Sequence, residues 1–515
     1  MHTKIIVGSL LVVGMMSASA DTLKHIIGNV LDTNPIISER LKNFKAAQAE
    51  IGIAQAGYYP TVDIESAVGR KATGRISDEV IKQTYNVFQN SLVLRQNVFK
   101  GFSTHEKIAY RKMHALAAAY SYLDKVNDVA LQTVDAYINL QKEKALLGNS
   151  KRNVQHTRTI YQKVKNTYDA GLTTFSELSK ADAALSLARS NMLLQESKLA
   201  NARYTFRRVA GIAIDPKSLE PVNFSLKLPE NRQKAELYAL EYSPSVLAGK
   251  YNIKGAEALY HESKSAFYPE IDVELSQSYN KNYNEFIGTD DRTQGLIILS
   301  YNLYRGGADE AKKLKTLSKM DQEVSLVDDL KRQVTESVDL SWNSYELAKD
   351  QIPFLQQYHN QSQKTLTLYH KEYTLGKRSL LDLISTENDL KRAEDQLTDA
   401  KYALLLSKYR IMHAMGLTIP AIMGSQKNYY RRVGLNPGHT YIKNDSSLEK
   451  LPTATQTDRP KEQYHSQSKH LAKKVSSPEK RHKDLPKKAQ KNTMNKPKEA
   501  HSFIDIFTKI RWESR

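Results

Sequence analysis

Cysteine is absent from all 515 residues. One count therefore removes disulfide scaffolds, thiolate metal sites, cysteine nucleophiles and a lipid carried on an N-terminal cysteine. Long hydrophobic runs are also missing. Beyond the first twenty positions nothing approaches the roughly 18 consecutive apolar residues that a membrane-spanning helix needs, and the mean hydropathy is −0.55. A helical membrane protein is excluded, whereas a β-barrel is not, because its strands carry only an alternating signal. The motifs of common catalytic chemistry are lacking too: there is no glycine-rich phosphate loop, no His-Glu-x-x-His and no nucleophile elbow, and the histidines are scattered. The chain reads as a non-enzyme for which no cofactor or metal is implied.

What is present begins with an address. Met1 to Lys4 is a short positive region, Ile5 to Met16 an apolar run, and Ala18-Ser-Ala20 a small-residue cleavage signature. Residues 1–20 read as a secretory signal peptide cut after Ala20. The twelve-residue apolar run would span only about 18 Å as a helix, too little to anchor the chain. The net charge of +19 is unevenly spread. Residues 426–515 hold 21 Lys/Arg against 9 Asp/Glu, a net +12, and residues 1–425 hold +7.

The chain also repeats itself. Asn34-Pro35 returns as Ser243-Pro244, and Tyr59-Pro60 as Tyr268-Pro269, both displaced by 209 residues. Asn97-Val-Phe99-Lys100-Gly101 matches Asn302-Leu-Tyr304-Arg305-Gly306 at a displacement of 205, which persists through Gly171 against Gly376 and Gly211 against Gly416. The change of four between the two displacements predicts a hairpin loop four residues shorter in the second half. Each half reads as a helix stopped at the proline (Pro60, Pro269), two strands, and a long helical hairpin. The strands are expected near 61–72 and 87–99, then 270–282 and 293–304. Alternation in the second strand of each pair (Leu92 and Leu94 against Ser91 and Arg95; Ile297 and Leu299 against Ile298 and Ser300) gives one apolar face and one largely polar face.

Past Gly101 and past Gly306-Gly307, helices of about 102–168 and 308–374 are expected, each near 100 Å long. The returning helices, about 173–210 and 378–415, carry apolar or small residues at alternating spacings of three and four: Leu178, Ala181, Leu185 and Ala188 in one, Leu383, Thr386, Leu390 and Ala393 in the other. That spacing is a coiled-coil seam. The segment 211–235, with Pro216, Pro221 and Pro229, reads as an irregular connector, 236–416 as the second repeat after 21–210, and 417–515 as a basic tail expected to be disordered. The tail is either a solvated periplasmic extension or a segment drawn to an acidic partner such as cell wall. Its last stretch, Phe503 to Trp512, reads as a small docking motif.

Four strands of about twelve residues can cross an outer membrane but cannot close a barrel, so copies of the chain must combine. The doubled Tyr-Pro strand entries, Asn-x-aromatic-basic-Gly strand exits and Tyr-x-x-Gly hairpin tips resemble the TolC-type outer-membrane channel family over roughly residues 21–420. The resemblance implies a homotrimer in the outer membrane of a Gram-negative bacterium, with a twelve-stranded barrel continued by a helical barrel across the periplasm. It also implies work with a periplasmic adaptor and an inner-membrane ABC transporter, and contact with outer-membrane lipid. Nucleic acid is not an expected partner. The exit Tyr301-Asn-Leu-Tyr304-Arg305-Gly306-Gly307-Ala-Asp309 is most similar to the branch that secretes large adhesins by the type I route. An outlet for drug or metal efflux, and a coiled-coil envelope protein with no pore, are the alternatives.

The resemblance further places a gate at the hairpin tips. Asp382 falls in an acidic ring, while Tyr373 and Arg378 fall as linkers towards Glu177 and Ser176 on the first hairpin. Ser385 stands where family members often carry a second acid. Tyr58, Tyr59, Phe99, Phe267, Tyr268 and Tyr304 fall at strand ends, either as a membrane-interface belt or as plugs of the strand–helix junction.

Overall fold

The computed structural model describes residues 23–435 except 77–79, 225 and 283–287. The expected cleavage site at Ala20 and most of the basic tail, with its Phe503–Trp512 motif, lie outside the described residues. Helices α1 (Leu23–Thr33) and α2 (Pro35–Gln55) are separated at Asn34, whose side chain accepts from the Ile36 and Ile37 amides and caps α2 with proline at its first position. A single 3₁₀ turn ends at Tyr58, and Pro60 stands before strand β1 (Thr61–Ile76). Strand β2 (Val80–Lys100) leads to the 67-residue α3 (Ser103–Asp169) and its return α4 (Phe175–Ala210). The second half repeats the order: α5 (Arg232–Tyr242), α6 (Pro244–Ser263), β3 (Glu270–Lys281), β4 (Thr289–Ser300), the 67-residue α7 (Ala308–Thr374) and α8 (Leu380–Ala414). At 1.5 Å per residue α3 and α7 are each about 100 Å long.

The four strands form one antiparallel sheet in the order β1-β2-β3-β4. Val62 pairs with Leu94, Leu94 with Leu275 and Val273 with Ile297, and these residues share one apolar face with Ile64 and Leu299. Ile64 and Ile297 are about four-fifths exposed in the single chain. The opposite face carries Asp63, Glu65, Arg95, Asp272 and Glu274; Arg95 pairs across the strands with Glu274 at 2.6 Å. Among the described residues β1 and β4 each have one unpaired edge.

The helices are arranged side by side. α3 lies against α2 near the strands and against α4 further down, as α7 lies against α6 and then α8, and α3 also touches α6 and α8 across the two halves. The seam positions are buried as their spacing implies: Ala181, Leu185, Ala188, Gln195, Ala202 and Phe206 on α4, and Leu383, Thr386, Leu390, Ala393, Leu397 and Ala400 on α8. α1 packs against α3, and Ile26, Ile27, Tyr122, Tyr137 and Tyr409 are among the largest fully buried side chains.

Three expectations are corrected. The four-residue difference between halves is not a shorter loop: the second hairpin has the longer turn and shorter strands. Asn282 adopts a left-handed conformation (φ 56°), takes the Gly288 amide on its side chain at 3.0 Å and donates to the Asn86 carbonyl at 2.7 Å, ending the pairing early. Strand β4 stops at Ser300, which pairs with Glu270 at the start of β3; residues 301–305 run past it and find no strand to pair with among the described residues. The connector 211–235 holds a 3₁₀ turn at Pro216–Ser218, and α5 starts inside it because Asn231 caps the Lys234 amide. The tail also begins later than expected. α9 (Thr418–Met423) and α10 (Lys427–Arg432) bury Ile419, Ala421, Tyr429 and Tyr430, Val433 just past α10 is buried as well, and Arg432 reaches Asp32 at 2.6 Å.

Candidate gate at the hairpin tips

Each long helix turns back through a tip of a few residues. Gly171 (φ 73°) and Gly376 (φ 69°) take the left-handed conformation that ends a helix cheaply only at glycine. The Leu172 amide then bonds the Thr167 carbonyl at 2.9 Å, and the Lys377 amide the Glu372 carbonyl at 2.9 Å, closing the same motif twice. Thr174 caps α4 through the Glu177 amide at 3.4 Å, and Ser379 caps α8 through the Asp382 amide at 3.1 Å. Glu177 and Asp382 are therefore the same position of the repeat, the acid three residues into a capped helix, where the helix dipole favours negative charge. The Thr-x-x-Glu and Ser-x-x-Asp pattern carries this role in the sequence and was not read from it.

Their surroundings differ. Lys180 approaches the Glu177 carboxylate at 3.3 Å, whereas the equivalent position on α8 is Ser385, which is exposed. Among the described residues no ion pair reaches the Asp382 carboxylate, so the second tip presents a less neutralised acid than the first. Ser176 shares a 2.9 Å hydrogen bond with Thr174 beside the cap.

Tyr373 is half-buried against the cluster of Ile160, Val164, Leu366, Leu380 and Leu383, which joins the two hairpins. Burial raises its phenol pKa, and the nearby Glu177 charge raises it further. Arg378 is not directed at Glu177. Its Nε donates to Glu372 at 2.7 Å, and its guanidinium lies 4.2 Å from the centre of the Tyr369 ring. The reversal at Gly376 brings Glu372 and Arg378, six residues apart, to the same side of the tip. Tyr369 and Glu372 are thus partners of the site that the sequence did not single out. Leu172, Phe175, Leu375 and Leu381 project from the tips largely exposed.

At the other end, Gly101 (φ 55°) lies so close to the 3₁₀ turn Lys264–Phe267 that follows α6 that a Cβ would stand 2.6 Å from the Ser265 carbonyl oxygen. Phe102 follows in a left-handed conformation (φ 64°) where the second half has Gly307 (φ 82°). It is held edge-on between Phe99 at 5.4 Å and Tyr268 at 6.2 Å. Tyr58, Tyr59, Tyr268, Tyr301 and Tyr304 are half or more exposed around the same level. Among the described residues no group of three or more His, Asp and Glu side chains is placed to hold a metal.

A sheet apolar on one side, polar on the other and open at both edges, continuous with paired helices of about 100 Å, is the building block of an outer-membrane channel. The chain belongs to the Outer membrane efflux protein family, whose pattern matches residues 26–212 and 238–417. It is similar to the Outer membrane efflux protein BepC of Brucella suis biovar 1, 22% identical over 81% of this chain and 90% of that one. It is also similar to the Proteases secretion protein PrtF of Dickeya chrysanthemi, 21% identical over 72% and 83%. A solved structure of CusC, studied for its transmembrane channel formation, superposes with a TM-score of 0.69 at 18% identity over 76% of this chain and 92% of that one. The protein is an outer-membrane channel of tripartite export systems, with a periplasmic extension, and the family is one of channels, not enzymes.

Proposed function

We propose that three copies of this chain join β4 of one to β1 of the next, closing a twelve-stranded barrel above a helical tube. The assembly serves as the exit duct for type I secretion of a large protein, driven by an inner-membrane ABC transporter through a periplasmic adaptor. The observation that carries this is the sheet with two open edges, which in membrane or in water is satisfied only by pairing with further strands. Closure of three sheets leaves a lumen, whereas closure of two fills with side chains. The polar face with its Arg95–Glu274 pair would line that lumen, and the apolar face of Ile64, Leu94 and Ile297 would meet lipid. The protein cargo rests on the Tyr301–Asp309 strand exit and on the likeness to a protease secretion protein; the likeness to an efflux protein is why a drug outlet is the reading to test against.

The tips serve as the gate. Three Asp382 carboxylates around a threefold axis favour cations and repel one another. Tyr373 and Arg378 hold the tips together against that repulsion. In the single chain Arg378 is satisfied by Glu372, so in the closed assembly it exchanges that partner for Glu177 or shares itself between the two. The adaptor engages the exposed Leu172, Phe175, Leu375 and Leu381. Breaking such exposed links costs only a few kcal/mol. The channel itself supplies no energy.

Two measurements decide. Comparing secreted and surface proteins of a deletion strain with its parent should show loss of one or two large proteins with unchanged drug susceptibility; intact secretion with new susceptibility would make the chain an efflux outlet. In planar bilayers, Arg378→Ser with Tyr373→Phe should raise conductance, and an unchanged conductance would remove these residues from the gate.

A further inference from the structure

Above the tip the two hairpins of one chain meet along α3 and α8, and the seam changes character along its length. Nearest the tip it is apolar, through Ile160 and Val164 of α3 against Leu380 and Leu383 of α8. Further up it is polar. Asn149 donates to Asp395 at 2.9 Å, Arg152 to Glu394 at 3.0 Å and Asn153 to Glu387 at 3.1 Å; His156 Nδ1 lies 3.2 Å from the same Glu387 oxygen.

Glu387 is the unusual member. It is 3% exposed, and its second carboxylate oxygen is enclosed with no hydrogen-bond partner among the described residues. A buried carboxylate is tolerated only when paired. Its partners are one neutral amide and one imidazole, both from the opposite hairpin.

We propose that Asn153, His156 and Glu387 form a second closure point above the tips: positioning residues that hold the α7–α8 hairpin against α3, more tightly when His156 carries a proton. This rests on the reading of the tips as the gate, since parting the tips requires the same two hairpins to separate. Histidine changes charge between pH 5 and 8, so acidification converts a hydrogen bond into an ion pair.

The other groups around Glu387 do not reproduce the effect. From α3, Arg152 is engaged by Glu394 at 3.0 Å. From α8, Lys391 pairs with Asp395; burial pushes the Glu387 pKa up, His156 and Asn153 push it down, and the negative charge of Glu394 adds a smaller upward push. From α7, burial lowers the His370 pKa, and Lys163 and His156 lower it further. α4 presents Leu185 and Ala188 against Val154, with no charge in that cluster.

The sign follows from both partners. The lock needs Glu387 ionised and His156 protonated, so it strengthens as pH falls from 8 and weakens again once Glu387 itself takes a proton. The test uses the full-length assembled protein. Open-channel occupancy in planar bilayers is expected to fall roughly tenfold between pH 8 and pH 5.5 in the wild type. His156→Gln and Glu387→Gln, which keep the size of each side chain, should flatten that response, and His156→Lys should hold the channel closed at both pH values.

Because the chain has no cysteine, spin labels at the exposed positions Gln155→Cys and Asn388→Cys report the seam directly. Their separation should narrow at pH 5.5 in the wild type and not in His156→Gln. An equal pH response in wild type and His156→Gln would overturn the proposal. A label distance that follows pH while Arg378→Ser with Tyr373→Phe leaves conductance unchanged would retain the seam lock and discard the tip gate. A label distance blind to pH while the tip variant opens the channel would do the reverse.

Discussion

Gly101 and Gly306 occupy the same place in the two halves, yet alanine should cost very different amounts at each. Both have positive φ, 55° and 61°, so any L side chain meets the same backbone strain of about 1 kcal/mol. At Gly306 nothing lies within 4 Å of a new Cβ, and the cost ends there. At Gly101 the new Cβ stands 2.6 Å from the Ser265 carbonyl oxygen, 2.8 Å from the Tyr268 Cβ and 3.0 Å from the Ser265 Cα. Two of these three atoms are backbone and the third is a Cβ, so none swings aside as a side-chain tip would. Relief requires β2 or the turn between α6 and β3 to shift. Overpacking of that kind adds about 1–3 kcal/mol to the strain, giving a total near 3 kcal/mol against 1. Urea unfolding of the purified protein, with the fraction of heat-resistant oligomer on unboiled gels as a second readout, compares Gly101→Ala with Gly306→Ala. Equal losses for the two variants would mean that φ alone governs the strand exits and that the close approach to Ser265 and Tyr268 carries no weight.

Other outcomes follow from single contacts. Burial and neighbouring Asp128 raise the Asp124 pKa to about 6. Its charged form is therefore disfavoured in the folded state, and stability falls as pH rises from about 4 towards 6. Asp124→Asn should add about 2 kcal/mol at pH 8 and almost nothing at pH 4, as read by urea unfolding at both pH values. Ser379→Ala removes the cap on the Asp382 amide and should cost about 1 kcal/mol, seen as faster amide exchange in the first turn of α8 with no change at the α4 tip. Leu383→Ala empties a 1% exposed position in the cluster that joins the hairpins. It should cost about 2–4 kcal/mol in thermal unfolding.

The long helices and their turns were legible because the signals are local: Gly101, Gly171, Gly376 and the Tyr-Pro pairs mark ends, and the three-four spacing of Leu383 to Ala400 marks the buried stripe. The duplication doubled each signal. What escaped depends on distant contacts. Tyr429 and Tyr430 sit in a polar, basic stretch yet are buried, where the neighbouring Arg432 meets Asp32, 400 residues earlier. Arg378 and Glu372 are paired by the reversal at Gly376, a relation no helical spacing reveals. The lengths of the two β-hairpins escaped because a change of offset counts residues without saying whether they belong to strand or turn. Asn282 decided that through its backbone conformation.

The open edges of β1 and β4 also have a genetic consequence. A subunit with one damaged edge still offers a sound one, so it enters assemblies and leaves each a seam that cannot close. In the three-copy assembly proposed above, equal expression of such a variant and the normal chain leaves only roughly one assembly in eight with normal copies alone. Edge-strand mutations in Thr61–Ile76 or Thr289–Ser300 should therefore behave as dominant poisons, whereas loss of the whole chain from one of two gene copies should be nearly silent.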